Sequence, residues 1–185
     1  MKKTRSGKGD PALFSRGGGG LKRVVWFDGK LLSAADLADE QSYFQTRLRR
    51  RNRFLHGAGV VSGLKVAIAP AAGAGNQSVV VEPGFAIDPR GEEIEVCQTT
   101  ALALPPRGRS LFVQLKFVEC PTDPVPSIGS LGSTSGDERI YSRIEETFTV
   151  VLTVTARLDA VSIARLARRR GRWRMDRRFR PPRAS

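Results

Sequence analysis

The sequence predicts a mainly β chain: a small antiparallel β-barrel or sandwich entered by one long N-terminal amphipathic helix, with disordered basic ends. Three observations predict it. Apolar residues at helical spacing occur in one early stretch, residues 34–55. Five or six later runs follow a period of two and are separated by Gly, Pro, Asn and Asp turns. The net charge of +13 sits almost wholly at the two ends. With 185 residues, 40% of them hydrophobic and 26% charged, one ordinary core can be buried.

The elements follow in order. Residues 1–23 hold seven Lys/Arg against one Asp and close on four consecutive glycines, which reads as a disordered basic arm. Order begins with Val24, Val25, Trp26 and Phe27, and Asp28-Gly29 turns the chain. Ser33 and Asp36 resemble a capping box, with Asp in place of the usual Glu. A helix of about five turns then runs from Ala34 to Phe54 or Leu55. Leu37, Gln41, Phe44, Leu48, Asn52 and Leu55 share one face, an apolar stripe with two polar interruptions. Acids near its start (Asp36, Asp39, Glu40) and arginines near its end (Arg47, Arg49, Arg50, Arg51, Arg53) match the helix macrodipole. Residues 24–56 are thus the lead-in and helix.

Residues 57–158 form the expected β domain. Val60–Ile68 reads as one strand, followed by the loop AAGAGNQ. Val79–Glu82 is a second strand, broken at Pro83-Gly84 and resumed over Phe85–Asp88. Asp88-Pro89-Arg90-Gly91 is a turn tetrad. Beyond it Ile94 and Val96 alternate with Glu93 and Glu95. Residues 102–105 give a short edge piece, Ser110–Glu119 a long strand, 121–138 a Pro/Ser/Gly loop and Arg143–Ala156 a final strand. Residues 159–185 read as a disordered tail, with ten arginines against one Asp over 161–185, after a turn or two of helix around Ile163 and Leu166.

Composition and motifs exclude several chemistries. Gly57, Gly59 and Gly63 approximate a dinucleotide fingerprint, but they close a helix and open a strand, the reverse of the order that brings phosphates to a helix N-terminus. Gly57 suits a left-handed helix cap instead. His56, the one histidine, cannot build a two-His metal site and suits capping or core hydrogen bonding. No nucleophile elbow is present. Glu92-Glu93 and Glu145-Glu146 place neighbouring carboxylates on opposite strand faces, so they do not converge. Cys97 and Cys120 lack metal-ligand spacing and read as buried free thiols in a reducing compartment. No apolar run is long enough to span a membrane as a helix, and the N-terminus lacks the apolar core of a secretory signal. No catalytic residue, metal or cofactor is expected.

Residues 27–66, FDGKLLSAADLADEQSYFQTRLRRRNRFLHGAGVVSGLKV, carry a resemblance. The pattern L-x-A-x-D-L, then Q-x-Y, then an Arg-rich helix into N-R-x-L-H-G-x-G-V-V-x-G-L resembles a family associated with contractile phage-tail-like injection systems and tail baseplates. Pro83, Gly84, Ala86, Ile87, Asp88, Gly91 and Ile94 continue it, and it covers residues 24 to about 152. The resemblance implies a non-enzymatic structural subunit of a baseplate, spike or fibre attachment. It further implies assembly in the cytoplasm and partners that are other particle subunits or further copies of the chain. On this reading Asn52, His56, Gly57, Gly59 and Gly63 form a joint that sets the helix against the β domain, and Arg47, Arg50 and Arg51 face an acidic neighbour. The arginine tail offers an alternative reading. Arg168, Arg169, Arg170, Arg172, Arg174, Arg177 and Arg178, with Trp173 among them, suit phosphate contacts and base stacking on nucleic acid, or an anionic surface.

Overall fold

The computed structural model describes residues 20–71, 76–125 and 140–185. Most of the expected basic arm, the centre of the AAGAGNQ loop and most of the 121–138 loop lie outside the described residues. The chain divides into two compact units, Met1–Thr46 and Arg47–Ser185.

In the first unit, the Asp28-Gly29 turn is closed by the Lys30 amide donating to the Phe27 carbonyl at 3.1 Å, with Gly29 at φ +83°. Helix α1, Ala34–Arg51, begins here. Its start is the capping box that the sequence predicts. The Ser33 amide and hydroxyl donate to Asp36 Oδ2 at 3.2 and 2.6 Å, and the Asp36 amide donates to Ser33 Oγ at 3.1 Å. Lys30 Nζ adds an ion pair to Asp36 Oδ1 at 2.8 Å. No residue of α1 is buried, and Leu37, Phe44 and Leu48 are each about half exposed. The amphipathic stripe exists, and its apolar members are exposed.

Among the described residues, the second unit holds ten strands in three antiparallel sheets, one of them part of a half-barrel. The first sheet has the order β1-β4-β5, from Gly59–Gly63, Gly84–Ile87 and Glu93–Val96. The second has the order β2-β3-β6, from Val66–Pro70, Gln77–Val81 and Thr100–Ala103. The third has the order β10-β9-β7-β8, from Arg172–Met175, Val161–Arg169, Ser110–Val125 and Ile140–Thr153. Alternation explains the inward faces. Val79 and Val81 of β3, Ile94 and Val96 of β5, and Val113 and Leu115 of β7 are fully or almost fully buried. Each such side chain contributes about 1.5–3 kcal/mol by leaving water.

The expected single strand over Val60–Ile68 is two strands in different sheets. Gly63 (φ +61°) and Leu64 (φ +54°) are both left-handed and turn the chain out of the first sheet into the second. Pro83-Gly84 makes the same change in reverse. The two corners lie against each other, with the Leu64 amide donating to the Pro83 carbonyl at 3.1 Å. A Cβ at Gly63 would stand 2.3 Å from that carbonyl oxygen, so only glycine fits.

Residues 121–125 belong to β7 and are not loop. Cys97 is exposed and Cys120 half-buried, both as free thiols, so the expected burial fails for Cys97. The larger correction concerns residues 159–185. Ile163 and Leu166 lie in a strand, not a helical turn, and β9 sits between β7 and β10 inside the third sheet. Val161, Ile163, Ala164, Leu166 and Trp173 join the core. The physical reason is alternation: small and apolar residues take the inner face while most of the arginines point out.

A buried glutamine fixes where β9 starts. Gln114 is fully buried. Its amide nitrogen donates to the Arg157 carbonyl at 3.1 Å and to Ser162 Oγ at 3.0 Å. Its amide oxygen accepts from Thr153 Oγ1 at 2.8 Å and from the Arg157 amide at 3.0 Å. A register shift in the β7–β9 ladder between Val113 and Gln114 marks the place. Buried polar groups must find partners, and here they tie the β8–β9 turn to β7.

Candidate functional site

The end of α1 enters a socket built by the β4–β5 turn. Asp88, fully buried, organises that turn. Its Oδ1 accepts from the Arg90 and Glu92 amides at 2.8 and 2.9 Å, and its main chain exchanges bonds with Glu92 and Gly91. Gly91 takes φ +91°, and a Cβ there would stand 2.2 Å from the Arg49 carbonyl oxygen. The turn therefore presses its backbone directly on the helix end.

Asn52 locks the contact. It is 4% exposed, and Nδ2 donates to the Gly91 carbonyl and to Glu93 Oε1, both at 3.0 Å. Arg49 flanks it, with Nε 2.7 Å from Glu92 Oε1 and a terminal nitrogen 3.7 Å from Glu119 Oε1. Hydrogen bonding to Glu92 outweighs partial burial and holds the Arg49 guanidinium even more firmly protonated than usual. A shallow depression beside the joint, lined by Arg49, Arg90, Glu92, Lys116, Phe117 and Glu119, is thus occupied by ion-paired groups.

The helix does not simply continue to Leu55. From Asn52 to His56 it widens into a π turn, and the Gly57 amide donates to the Asn52 carbonyl, five residues back, at 3.0 Å. Gly57 takes φ +73° with ψ −171°, a positive-φ backbone that favours glycine but is not the left-handed cap expected there. The widening takes Leu55 off the face it was expected to share with Asn52, and Leu55 stays exposed while Asn52 is buried.

His56 meets a segment 129 residues away along the chain. Its Nδ1 lies 2.5 Å from the Ser185 main-chain oxygen, and its own carbonyl accepts from the Ser185 amide at 3.0 Å. An oxygen of that kind only accepts, so Nδ1 carries the proton. Residues 182–185 run along β1. The Val60 amide donates to the Pro182 carbonyl at 2.8 Å, and the Ala184 amide donates to the Val60 carbonyl at 3.2 Å. A Cβ at Gly59 would meet Pro182 at 2.6 Å, which explains that glycine. No group of three or more metal-ligating side chains occurs among the described residues.

Of the expected joint residues, Asn52, His56, Gly57 and Gly59 come together around the helix end, and Gly63 lies at the corner between sheets. Arg47, Arg50 and Arg51 are exposed. Arg49, which makes the ion pair, was missing from the expected face, as were Asp88, Gly91 and Ser185. The Asp-Pro-Arg-Gly tetrad was the available signal for the socket.

The expected nucleic-acid set changes character. Trp173 is 4% exposed, donates from Nε1 to the Pro105 carbonyl at 2.8 Å and lies over Gly108. Its indole cannot stack on a base. Phe179 packs edge-on against Phe112, with centroids 5.9 Å apart. The arginines around them form a patterned surface on folded strands.

No family model and no curated protein matches the chain. Solved structures do. A crystal structure of TssK aligns with a TM-score of 0.54 at 13% identity, covering 88% of this chain and 44% of that one. The TssK-TssF-TssG baseplate subcomplex of a type VI secretion system gives 0.53 at 15% identity, covering 88% and 62%. The baseplate complex from the type VI secretion system gives 0.51 at 18%, covering 88% and 60%. These likenesses establish a shared fold, and the chain spans 44% to 62% of the length of the chains it matches.

Proposed function

We propose that this chain is a non-enzymatic structural subunit of a contractile, phage-tail-like injection particle, in a baseplate, spike or fibre-attachment position. The fold carries the reading: most of the chain superposes on a protein found in type VI secretion baseplates. The N-terminal motif points the same way independently. The joint is consistent with a structural role, because Asn52, Asp88 and His56 engage the protein's own main chain. Partners are other particle subunits or further copies of the chain, met through the exposed apolar groups of residues 24–48 and through Arg47, Arg50 and Arg51. Assembly takes place in the cytoplasm. Among the described residues no helix is long and apolar enough to cross a membrane.

The test is deletion of the gene from a cell that makes such particles, followed by electron microscopy of the lysate. Sheathed particles should be absent or lack baseplates, and return when the gene is restored. A His56→Ala copy that still folds should restore them too. Normal contractile particles in the deletion strain would refute the proposal.

A further inference from the structure

The β9–β10 hairpin carries a surface that the assembly role does not use. Residues 161–185 hold ten arginines and one carboxylate, Asp176. Arg165 lies 3.8 Å from Asp176 and over the Phe112 ring, and Arg168 folds back onto the Gly171 carbonyl at 3.0 and 3.1 Å. Arg169, Arg170, Arg172 and Arg174 have no ion pair among the described residues and are exposed.

Their placement works against the fold. Arg169 and Arg172 stand directly opposite each other across the two strands. Like charges in that position repel. Arg174 follows on the same face, opposite Ala167, which offers it no carboxylate. Between the strands the chain makes a two-residue turn, with Arg170 at φ +48° and Gly171 at φ +78°. That geometry suits Asn or Gly at the first position and strains an arginine. The repulsion between the opposed arginines is relieved when an external polyanion occupies the hairpin.

We infer that this hairpin binds the phosphodiester backbone of nucleic acid without reading bases. Strand geometry roots these arginines with their Cα atoms about 5–7 Å apart, along and across the strands, and their long side chains can reach successive phosphates of an extended single strand. Guanidinium forks match phosphate oxygens in pairs. A protein partner is disfavoured because interface centres are poor in charge and need an apolar or aromatic anchor. Here the one indole of the hairpin is turned into the core, and Met175, the exposed apolar side chain of β10, alternates to the strand face opposite Arg172 and Arg174. A membrane surface is disfavoured for the same reason, since no apolar side chain on this face is placed to insert.

The test uses the full chain and a fluorescent oligothymidine of about 20 nucleotides, titrated by anisotropy between about 50 and 300 mM NaCl. Arg169→Gln, Arg172→Gln and Arg174→Gln together should weaken binding on the order of tenfold or more at about 100 mM salt and reduce the salt slope by about 2. Thermal stability should hold or rise, because an opposed pair of charges is removed. Arg53→Gln, Lys65→Gln and Arg143→Gln remove the same charge from exposed positions elsewhere and should leave binding intact. Failure of the unaltered chain to bind at the lowest salt would overturn the inference, as would equal losses in both triple variants. Displacement of the oligonucleotide by polyglutamate, or by phosphatidylserine vesicles, at lower charge concentration than by unlabelled oligonucleotide would overturn it in favour of an acidic protein or a membrane.

Discussion

Replacing Asn52 with alanine tests the joint directly. The side chain is almost wholly buried and makes two hydrogen bonds of 3.0 Å. Gly91 is buried, so its carbonyl cannot recover a water partner. Orphaning a buried acceptor costs about 1–3 kcal/mol. Glu93 is exposed and can be rehydrated, so losing its bond costs about 0.5–1 kcal/mol more. The sum is about 1.5–4 kcal/mol. A chain of this size shifts its melting temperature by about 2–4 °C per kcal/mol, so a fall of about 3–16 °C is expected by calorimetry or circular dichroism. Asn52→Asp is the sharper control. It keeps the shape but replaces the donor with an oxygen facing the Gly91 carbonyl and the Glu93 carboxylate. At neutral pH it should destabilise at least as much as alanine. If Asn52→Ala stays within about 0.5 kcal/mol of the parent, or Asn52→Asp is neutral, the socket does not hold the helix end.

Two further expectations concern the first unit and the tail. Hydrogen bonding from Lys30, reinforced by Ser33, lowers the Asp36 carboxyl from 3.8 to about 2. A depressed folded-state pKa means that its contribution is complete above the unfolded value near 4 and disappears as the pH falls toward 2. NMR titration should place the Asp36 midpoint near 2, and a midpoint near 4 would remove the capping-box ion pair from the account. The chain has two tryptophans, one buried at 173 and one half exposed at 26. The Trp26→Phe variant should therefore emit at short wavelength and resist iodide quenching, and Trp173→Phe should do the opposite. Solvent-like emission from Trp173 would return residues 159–185 to the disordered tail that their composition suggests.

The legible parts of this fold are local. The capping box spans Ser33 to Asp36, so the sequence displays both partners side by side. The Asp88–Gly91 turn and the β5 alternation are equally local, since a turn or a pleat needs only its neighbours. The same reasoning failed where composition masked a pattern. Val161 and Ile163 alternate, Ala164 and Leu166 resume the alternation after a bulge, and Arg170-Gly171 is the hairpin turn before Trp173. Ten arginines in that region hid the period. The helix stripe misled in a different way, because an apolar face shows what a residue would bury but does not name what covers it.

The sequence by itself determined that one helix precedes antiparallel strands, the capped start of α1 and the glycines at the helix end, because backbone conformation and alternation depend on adjacent residues. Only the tertiary structure decided the partners of Asn52 and His56. Those partners are the main-chain groups of Gly91 and Ser185, which lie 39 and 129 residues away along the chain. A carbonyl oxygen is the same at every position, so nothing in the order of side chains marks which one will face a given amide or imidazole. The packing of the three sheets makes that choice, and it also turns the arginines of a seemingly structureless tail into one side of a strand pair.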